Sequence, residues 1–229
     1  MNKSSHLFSD STREFDFFER FWLQIKSMKY MFFIPLLGYY GIVPLWVWAQ
    51  SHRSDFELFG SIGEICFLIV PLLSSWWLLT YLKEYIEGAG REVLLLGKET
   101  FRSALILWAI NVICFLPVLL VPNNTMFQDD APKLFLQLLI LSFLANGLAY
   151  FLAYYSGSMT VTMLFILMYT ALSNYTFAHE VLSKVFSPFM YGELENADFP
   201  DEIGVFVKFL LMGVFFWSFG AIKSKRFMK

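Results

Sequence analysis

Charged residues are scarce in this chain, and their scarcity excludes an ordinary soluble domain. Lysine, arginine, aspartate and glutamate make up only 16% of the 229 residues, against about 25% in a typical soluble protein. Hydrophobic residues make up 57%, and phenylalanine alone occurs 27 times. This composition predicts a protein that lies mostly within a membrane, and we expect no nucleic-acid partner.

Cysteine and histidine are also rare, which leaves little material for disulfides or a metal site. The two cysteines, Cys66 and Cys114, lie inside apolar stretches and have no metal-ligand spacing. His179 and Glu180 begin like the zinc-protease sequence H-E-x-x-H, but residue 183 is serine. We therefore expect neither a disulfide nor a bound metal.

A complete nucleotide-binding loop is missing as well. Gly97-Lys98 resembles the end of a phosphate-binding loop, in which a serine or threonine follows the lysine. The loop would require a glycine at position 92 and a serine or threonine at position 99, but both positions are glutamate, Glu92 and Glu99. The chain is therefore not expected to hydrolyse ATP through this motif, and an enzyme is not predicted.

Six apolar stretches are present, each long enough to cross a bilayer. A hydrocarbon core of about 30 Å requires roughly 20 helical residues. We predict an all-α, polytopic membrane helix bundle with six transmembrane helices, forming a single domain over residues 1–229. The predicted spans are residues 31–49, 66–82, 103–121, 134–155, 159–177 and 203–222.

Basic residues are distributed unequally between the connections. Thirteen of the 17 lysines and arginines lie in the N-terminal segment, between spans two and three, or in the C-terminal tail. Three lie in the other connections, and Lys208 lies within the last span. Because cytoplasmic loops are enriched in basic residues, we expect a multi-pass cell-membrane protein with both termini in the cytoplasm.

Residues 12–30, just before the first span, have the pattern of an amphipathic helix. Phe15, Phe18, Trp22 and Ile25 recur at steps of three and four, and charged residues occupy much of the remainder. Such a helix suits the headgroup boundary of a bilayer. It would serve either as a mechanical connection to the first span or as an anchor alone.

Residues 83–102 connect spans two and three and are too polar to cross the membrane. Gly88 and Gly90 interrupt the helix that continues from span two, and residues 91–96 are predicted to form a second, short helix. A partly apolar element at the cytoplasmic surface suits docking into a groove on a soluble partner. The alternative is an interfacial linker with no partner.

The sequence of residues 76–102 resembles the second span and coupling segment of ABC-2-type transporter permeases. In that family an acidic residue, a glycine, and then a glutamate followed by leucines and a basic residue lead into the third span. The proline that usually follows the leucines is absent, and Gly97-Lys98 stands in its place. The matching residues are Glu87, Gly88, Glu92, Leu94, Leu95 and Arg102.

This resemblance implies the permease subunit of an ATP-driven ABC exporter. The chain would work as a homodimer, or as a pseudo-dimer with a second permease, in the lipid bilayer. Separate ABC ATPase subunits would bind ATP and Mg, and this chain would bind no cofactor itself. Residues 87–97 would couple the ATPase to the spans, with Leu94 and Leu95 as the apolar contact and Arg91 and Glu92 as its polar rim.

Residues 178–201 are predicted to lie outside the cell and combine acidic residues with the apolar run 185–191. ABC-2 permeases look similar here, with short extracellular helices that dip into the outer leaflet before the last span. Backbone N–H and C=O groups within the membrane must form hydrogen bonds to protein or water. A plain surface loop is the alternative.

Two charged residues lie at or within predicted spans. Glu64 borders the outer end of span two, and Lys208 lies near the start of span six. Because an unpaired charge facing lipid is costly, we expect both side chains to face the protein interior near the outer surface. Snorkelling of the lysine to the interface is the alternative.

Two alternative functions are therefore predicted. The first is a bacterial ABC exporter permease, with amphipathic or antimicrobial peptides as the cargo that the resemblance suggests. The second is a non-transporting membrane interaction or peptide-immunity protein, in which the same helices would sequester a peptide or partner. An associated ATPase would distinguish the first from the second.

Overall fold

The molecule is a bundle of helices, and no strand occurs in the residues that the structure describes. The computed structural model describes residues 17–50, 55–88, 100–120, 127–175 and 199–227. The prediction of an all-α bundle is confirmed. The helices are α1 (Phe17–Ser27), α2 (Phe33–Leu37), α3 (Val43–Ala49), α4 (Asp55–Ile86), α5 (Thr100–Leu120), α6 (Phe127–Ser156), α7 (Met159–Tyr175) and α8 (Phe199–Phe227).

Five helical segments in the described residues are long and apolar enough to cross a membrane. Of the predicted span at residues 159–177, the structure describes residues 159–175, which form the 17-residue helix α7, about 26 Å long at 1.5 Å per residue. Its apolar part, Met159–Leu172, is shorter still. A sixth crossing by α7 thus stays a prediction. The five segments are Lys29–Ala49, Ile65–Lys83, Thr100–Pro117, Leu134–Ser156 and Phe206–Lys225.

Helix α1 falls within the predicted amphipathic range, residues 12–30, and has the two expected faces. Phe21 is buried in the bundle, whereas Trp22 is 57% exposed. Lys26 is exposed in the last turn, and its Nζ lies 5.7 Å from the centre of the Trp22 ring. One aromatic face therefore packs on protein, while an aromatic and a cation remain available at the surface.

The first span is helical but irregular. A 3₁₀ turn at Lys29–Phe32 leads into α2, and a π-helical turn at Gly38–Ile42 joins α2 to α3. Lys29 has a left-handed backbone with a φ of 49°, which is uncommon for a residue with a Cβ. This residue marks the change of direction between α1 and the span.

Two tryptophans of α4 hold the irregular start of this span. Because Pro35 has no N–H group, the Met31 carbonyl lacks its usual helical donor. Trp76 Nε1 donates to that carbonyl at 3.2 Å, and Trp77 Nε1 donates to the Phe32 carbonyl at 2.7 Å. Backbone groups in a membrane must find partners within the protein, and α4 supplies them here.

Helices α4 and α6 form the centre of the bundle. Of their spanning residues 67% are buried, compared with 22% for the first span and 28% for α8. Helix α6 packs against α4, α5, α7 and α8. The remaining helices therefore surround these two and turn one apolar face away from the protein.

Glycines allow α6 and α8 to approach closely. A Cβ atom at Gly220 would lie 2.5 Å from Tyr150 Cδ1 and 3.2 Å from the backbone of Phe151. A Cβ at Gly147 would lie 3.0 Å from the Gly213 carbonyl oxygen. Small residues at such a contact give membrane helices the close van der Waals packing that drives their association.

One end of the bundle brings together the C-termini of α4, α6 and α8 and the N-termini of α5 and α7. Hydrogen bonds join Met159 to Glu87 and Thr100 to Tyr150. We call this the basic end, and it corresponds to the side predicted to be cytoplasmic. The lysines described here are Lys26, Lys29, Lys83, Lys223 and Lys225.

Candidate functional site at the basic end

The predicted coupling segment begins at the basic end, and the structure describes its first two residues. Glu87 lies one residue beyond α4, and its backbone N–H donates to the Lys83 carbonyl at 2.9 Å. Gly88 follows in a bend, where the chain leaves the direction of α4. The other predicted coupling residues, Arg91, Glu92, Leu94, Leu95 and Gly97, lie outside the described residues.

Glu87 makes a contact that the sequence analysis did not anticipate. Its Oε1 accepts a hydrogen bond from the backbone N–H of Met159 at 2.6 Å. Met159 is the first residue of α7, so this N–H has no partner inside its own helix. A carboxylate is favourable there because the N-terminus of a helix carries partial positive charge. Glu87 therefore fixes the end of α4 to the beginning of α7.

The turn between α6 and α7 presents this helix start to Glu87. Gly157 has a φ of +66°, a left-handed conformation that glycine adopts without steric cost. Ser156 Oγ accepts from the Ser158 N–H at 3.2 Å, and Thr162 Oγ1 donates to the Ser158 carbonyl at 2.9 Å. The short turn is thus closed by its own hydroxyl groups. Glu87 is therefore hydrogen-bonded to a helix start that directly follows the tight turn after α6.

Helix α5 joins the same end through aromatic contacts. The hydroxyl groups of Thr100 and Tyr150 lie 3.2 Å apart. The Phe101 ring packs edge-on against Tyr150 and Trp217, with centroid distances of 6.0 and 5.7 Å. Trp217 Nε1 in turn donates to the Phe143 carbonyl at 3.0 Å. The two helices that flank residues 89–99, α4 and α5, are therefore both anchored to α6 or its following turn.

A cleft of about 430 Å³ opens beside Glu87, between the start of the first span, α4 and α7. Its walls are mostly apolar and include four methionines, whose flexible thioethers adapt to irregular apolar ligands. Hydroxyl groups and two charged side chains complete the lining. We call it the methionine cleft; its residues are Ser27, Met28, Met31, Trp76, Leu79, Thr80, Lys83, Glu87, Met159, Thr160, Met163 and Leu164.

The other predicted polar site consists of Glu64 and Lys208. Glu64 lies in α4, but its side chain is outside what the structure describes. Lys208 is exposed on α8, with its Nζ 5.3 Å from the centre of the Phe209 ring. Pairing of Glu64 with Lys208 therefore stays a prediction, as does the alternative that the lysine snorkels to the interface.

Uncharged polar residues, rather than charged ones, occupy the interior of the described bundle. Tyr39 donates to Asn111 Oδ1 at 3.0 Å, and Trp108 donates to Ser142 Oγ at 3.1 Å. Both hydrogen bonds connect neighbouring helices across completely or largely buried positions. Asn146 is fully buried and donates to the Ser142 carbonyl at 2.9 Å. The first two hydrogen bonds link different helices, as expected of polar residues within membrane helices, whereas the hydrogen bond of Asn146 lies within α6.

The remaining sequence predictions lie beyond the described residues or concern absences. Of the predicted extracellular loop, residues 178–201, the structure describes only the beginning of α8 from Phe199. Among the described residues, no group of three histidine, cysteine, aspartate or glutamate side chains is placed to hold a metal ion. Cys66 and Cys114 are free thiols.

Comparison with known proteins gives no relative from which a function could be transferred. No protein-family model, curated protein or solved structure matches this chain. Its function must therefore be argued from its own residues.

Proposed function

We propose that this chain is the membrane permease subunit of an ATP-driven ABC exporter, working as a dimer with separate ATPase subunits. The geometry that supports this proposal is the hydrogen bond from the Met159 N–H to Glu87 at the basic end. Glu87 is the first of the residues that resemble the coupling segment of ABC-2 permeases. In this fold it lies where a displacement would reach several helices.

The connections at the basic end support the mechanical part of this proposal. Residues 89–99 are attached directly to α4 and α5. Glu87 extends the attachment to α7, and Thr100 extends it to α6 through Tyr150. A segment tethered to a packed bundle transmits displacement to the helices because well-packed interiors shift between discrete arrangements rather than deform freely. An ATPase that moved residues 89–99 would therefore act on four helices.

The experiment is affinity purification of the tagged chain from its native membranes, with ATPase activity measured in the eluate. We expect an ABC ATPase to copurify with the wild-type chain. Replacing Leu94 and Leu95 with Asp should abolish copurification while the chain remains in the membrane. The control replaces Ser4 and Ser5 with Asp, which adds the same charge to another segment predicted to be cytoplasmic.

Two results would contradict the proposal at different levels. A Leu94→Asp, Leu95→Asp variant that retains a fully stimulated ATPase would remove this segment from the mechanism. Absence of any ATPase from the wild-type eluate, under conditions that preserve the complex, would reject the exporter itself. The non-transporting interaction or immunity protein would then be the better account. Peptide cargo is a further part of the proposal, tested by ATP-dependent peptide release from vesicles.

A further inference from the structure

We infer that the methionine cleft binds one anionic phospholipid, with the phosphate at Lys83 and an acyl chain along the methionines. This inference does not depend on the exporter proposal. It rests on the chemistry of the cleft, on the charges around its mouth and on its position beside the amphipathic helix α1.

The interior of the cleft suits a hydrocarbon chain. Met31, Leu79, Met163 and Leu164 supply apolar walls. Trp76 also lines the cleft, but its Nε1 already donates to the Met31 carbonyl, so it offers the ligand mainly ring surface. The volume of about 430 Å³ falls in the range of pockets that hold one small ligand. A helical peptide would require a groove several turns long.

The mouth of the cleft favours a negatively charged headgroup. Lys83 lines it and is exposed, and Lys26 and Lys29 are exposed next to the lining residues Ser27 and Met28. Phosphate groups attract lysines at a membrane surface by about 1 kcal/mol each. The lining thus contains one exposed lysine, Lys83, and two further exposed lysines are sequence neighbours of lining residues.

One carboxylate also lines the cleft, and its charge is partly engaged. Glu87 Oε1 accepts the Met159 N–H at the start of α7, where the helix dipole offsets negative charge. The hydroxyl group of Thr160 lies in the same lining and is a further donor to a phosphate. A phosphate would therefore meet Lys83 and a hydroxyl donor, while the carboxylate of Glu87 is engaged by the start of α7.

The position of the cleft fits a lipid of the adjoining leaflet. Helix α1 ends at Ser27, and its exposed Trp22 and Lys26 are residue types that favour the headgroup boundary. The left-handed turn at Lys29 then leads the chain into the first span. The phosphate would therefore lie at the headgroup level beside Lys83, and the acyl chain would extend from there into the apolar interior of the cleft.

The test is native mass spectrometry of the full chain in a neutral detergent, titrated with phosphatidylglycerol or phosphatidylcholine. We expect tighter binding of phosphatidylglycerol to the wild-type protein. The Lys83→Gln variant should bind it about fivefold less tightly and lose most of the preference, as expected for one cation near a phosphate. Lys225→Gln, which removes an exposed lysine of the basic end outside the cleft, should bind it as the wild type does.

A second pair of variants tests the acyl-chain part of the site. Met163→Trp fills the cleft and should weaken binding of both lipids, whereas Met168→Trp on the exposed face of α7 should not. Unchanged phosphatidylglycerol binding in Lys83→Gln, or in Met163→Trp, would overturn the inference. It would also be overturned if a cationic amphipathic peptide bound this cleft while the wild type showed no preference for phosphatidylglycerol.

Discussion

Helices α6 and α8 are both apolar membrane-length helices, yet they use their surfaces differently. The spanning part of α6 is 67% buried and has a mean hydropathy of 1.9, whereas that of α8 is 28% buried with a mean hydropathy of 1.5. The more buried helix is also the one that carries Gln137, Ser142 and Asn146 inside the protein. The helix at the centre of the bundle therefore has the higher mean hydropathy, although it also carries these buried polar side chains.

The difference follows from the surroundings of each helix, which are protein for most of α6 and the outside of the bundle for one face of α8. A polar side chain in hydrocarbon requires a partner, so α6 places its polar groups against other helices. The exposed face of α8 presents large apolar residues, among them Leu211 and Phe215. Lipid or another protein chain would have to cover this face. Stability should therefore depend on the inward face of α8 far more than on its outward face.

The largest expected effect comes from truncating the inward face of α8. Phe209 is 1% exposed, and Phe209→Ala should lower the free energy of unfolding by about 3–5 kcal/mol through lost packing and a new cavity. Unfolding in mixed micelles by added dodecyl sulfate measures the change. Phe215→Ala on the outward face, where the ring is 52% exposed, is the matched control. Equal losses in both variants would refute the distinction between the two faces.

The next effect concerns the close contact of α6 with α8. Gly220→Leu should lower the free energy of unfolding by about 1–3 kcal/mol, because the new side chain meets Tyr150 and the backbone of Phe151. Gly204→Leu adds the same side chain to the same helix where nothing lies within 4 Å of the new Cβ. The control should be as stable as the wild type. A tolerated Gly220→Leu would show that this contact is loose.

A third effect tests how α4 completes the first span. Trp76→Phe removes the donor to the Met31 carbonyl and should cost about 1–3 kcal/mol of unfolding free energy. Pro35→Ala restores an N–H group four residues beyond Met31, so the tryptophan should matter less in that background. Unfolding of the two single variants and the double variant gives the coupling energy. Simple additivity would mean that Trp76 does not compensate for Pro35.

The smallest effect is expected at Glu87. Glu87→Ala removes the hydrogen bond to the start of α7 and should cost about 0.5–2 kcal/mol, as for other lost helix caps. Glu87→Gln keeps an acceptor and loses only the charge, so its cost should be about 0.3–1 kcal/mol. Hydrogen exchange of the Met159 amide reports the contact directly. Unchanged protection in Glu87→Ala would show that this carboxylate does not fix the start of α7.

The sequence predicted the helical class and most span positions because length and hydropathy determine them. Of the fifth predicted span, residues 159–177, the structure describes α7 as far as Tyr175, with an apolar part that ends at Leu172, so its membrane crossing stays a prediction. The orientation of Lys208 could not be settled from the sequence, because a charge near the end of a span can also reach the interface.

The hydrogen bond at Glu87 could not be predicted from local pattern. Glu87 and Met159 are 72 positions apart in the sequence, and no periodic signal pairs them. One clue was available: Ser156-Gly157-Ser158 is a typical turn sequence before a helix, and its first N–H groups would need an acceptor. The methionine cleft likewise depends on three helices whose arrangement only the fold determines.

The basic end is predicted to face the cytoplasm, where the proposed ATPase would act. Single cysteines at residues 54, 196 and 225, in a chain with Cys66 and Cys114 replaced by Ala, are labelled in intact cells with a membrane-impermeant maleimide. We predict labelling at residues 54 and 196, and labelling at residue 225 only after permeabilisation. Labelling at residue 225 but not at residue 196 in intact cells would contradict the claim.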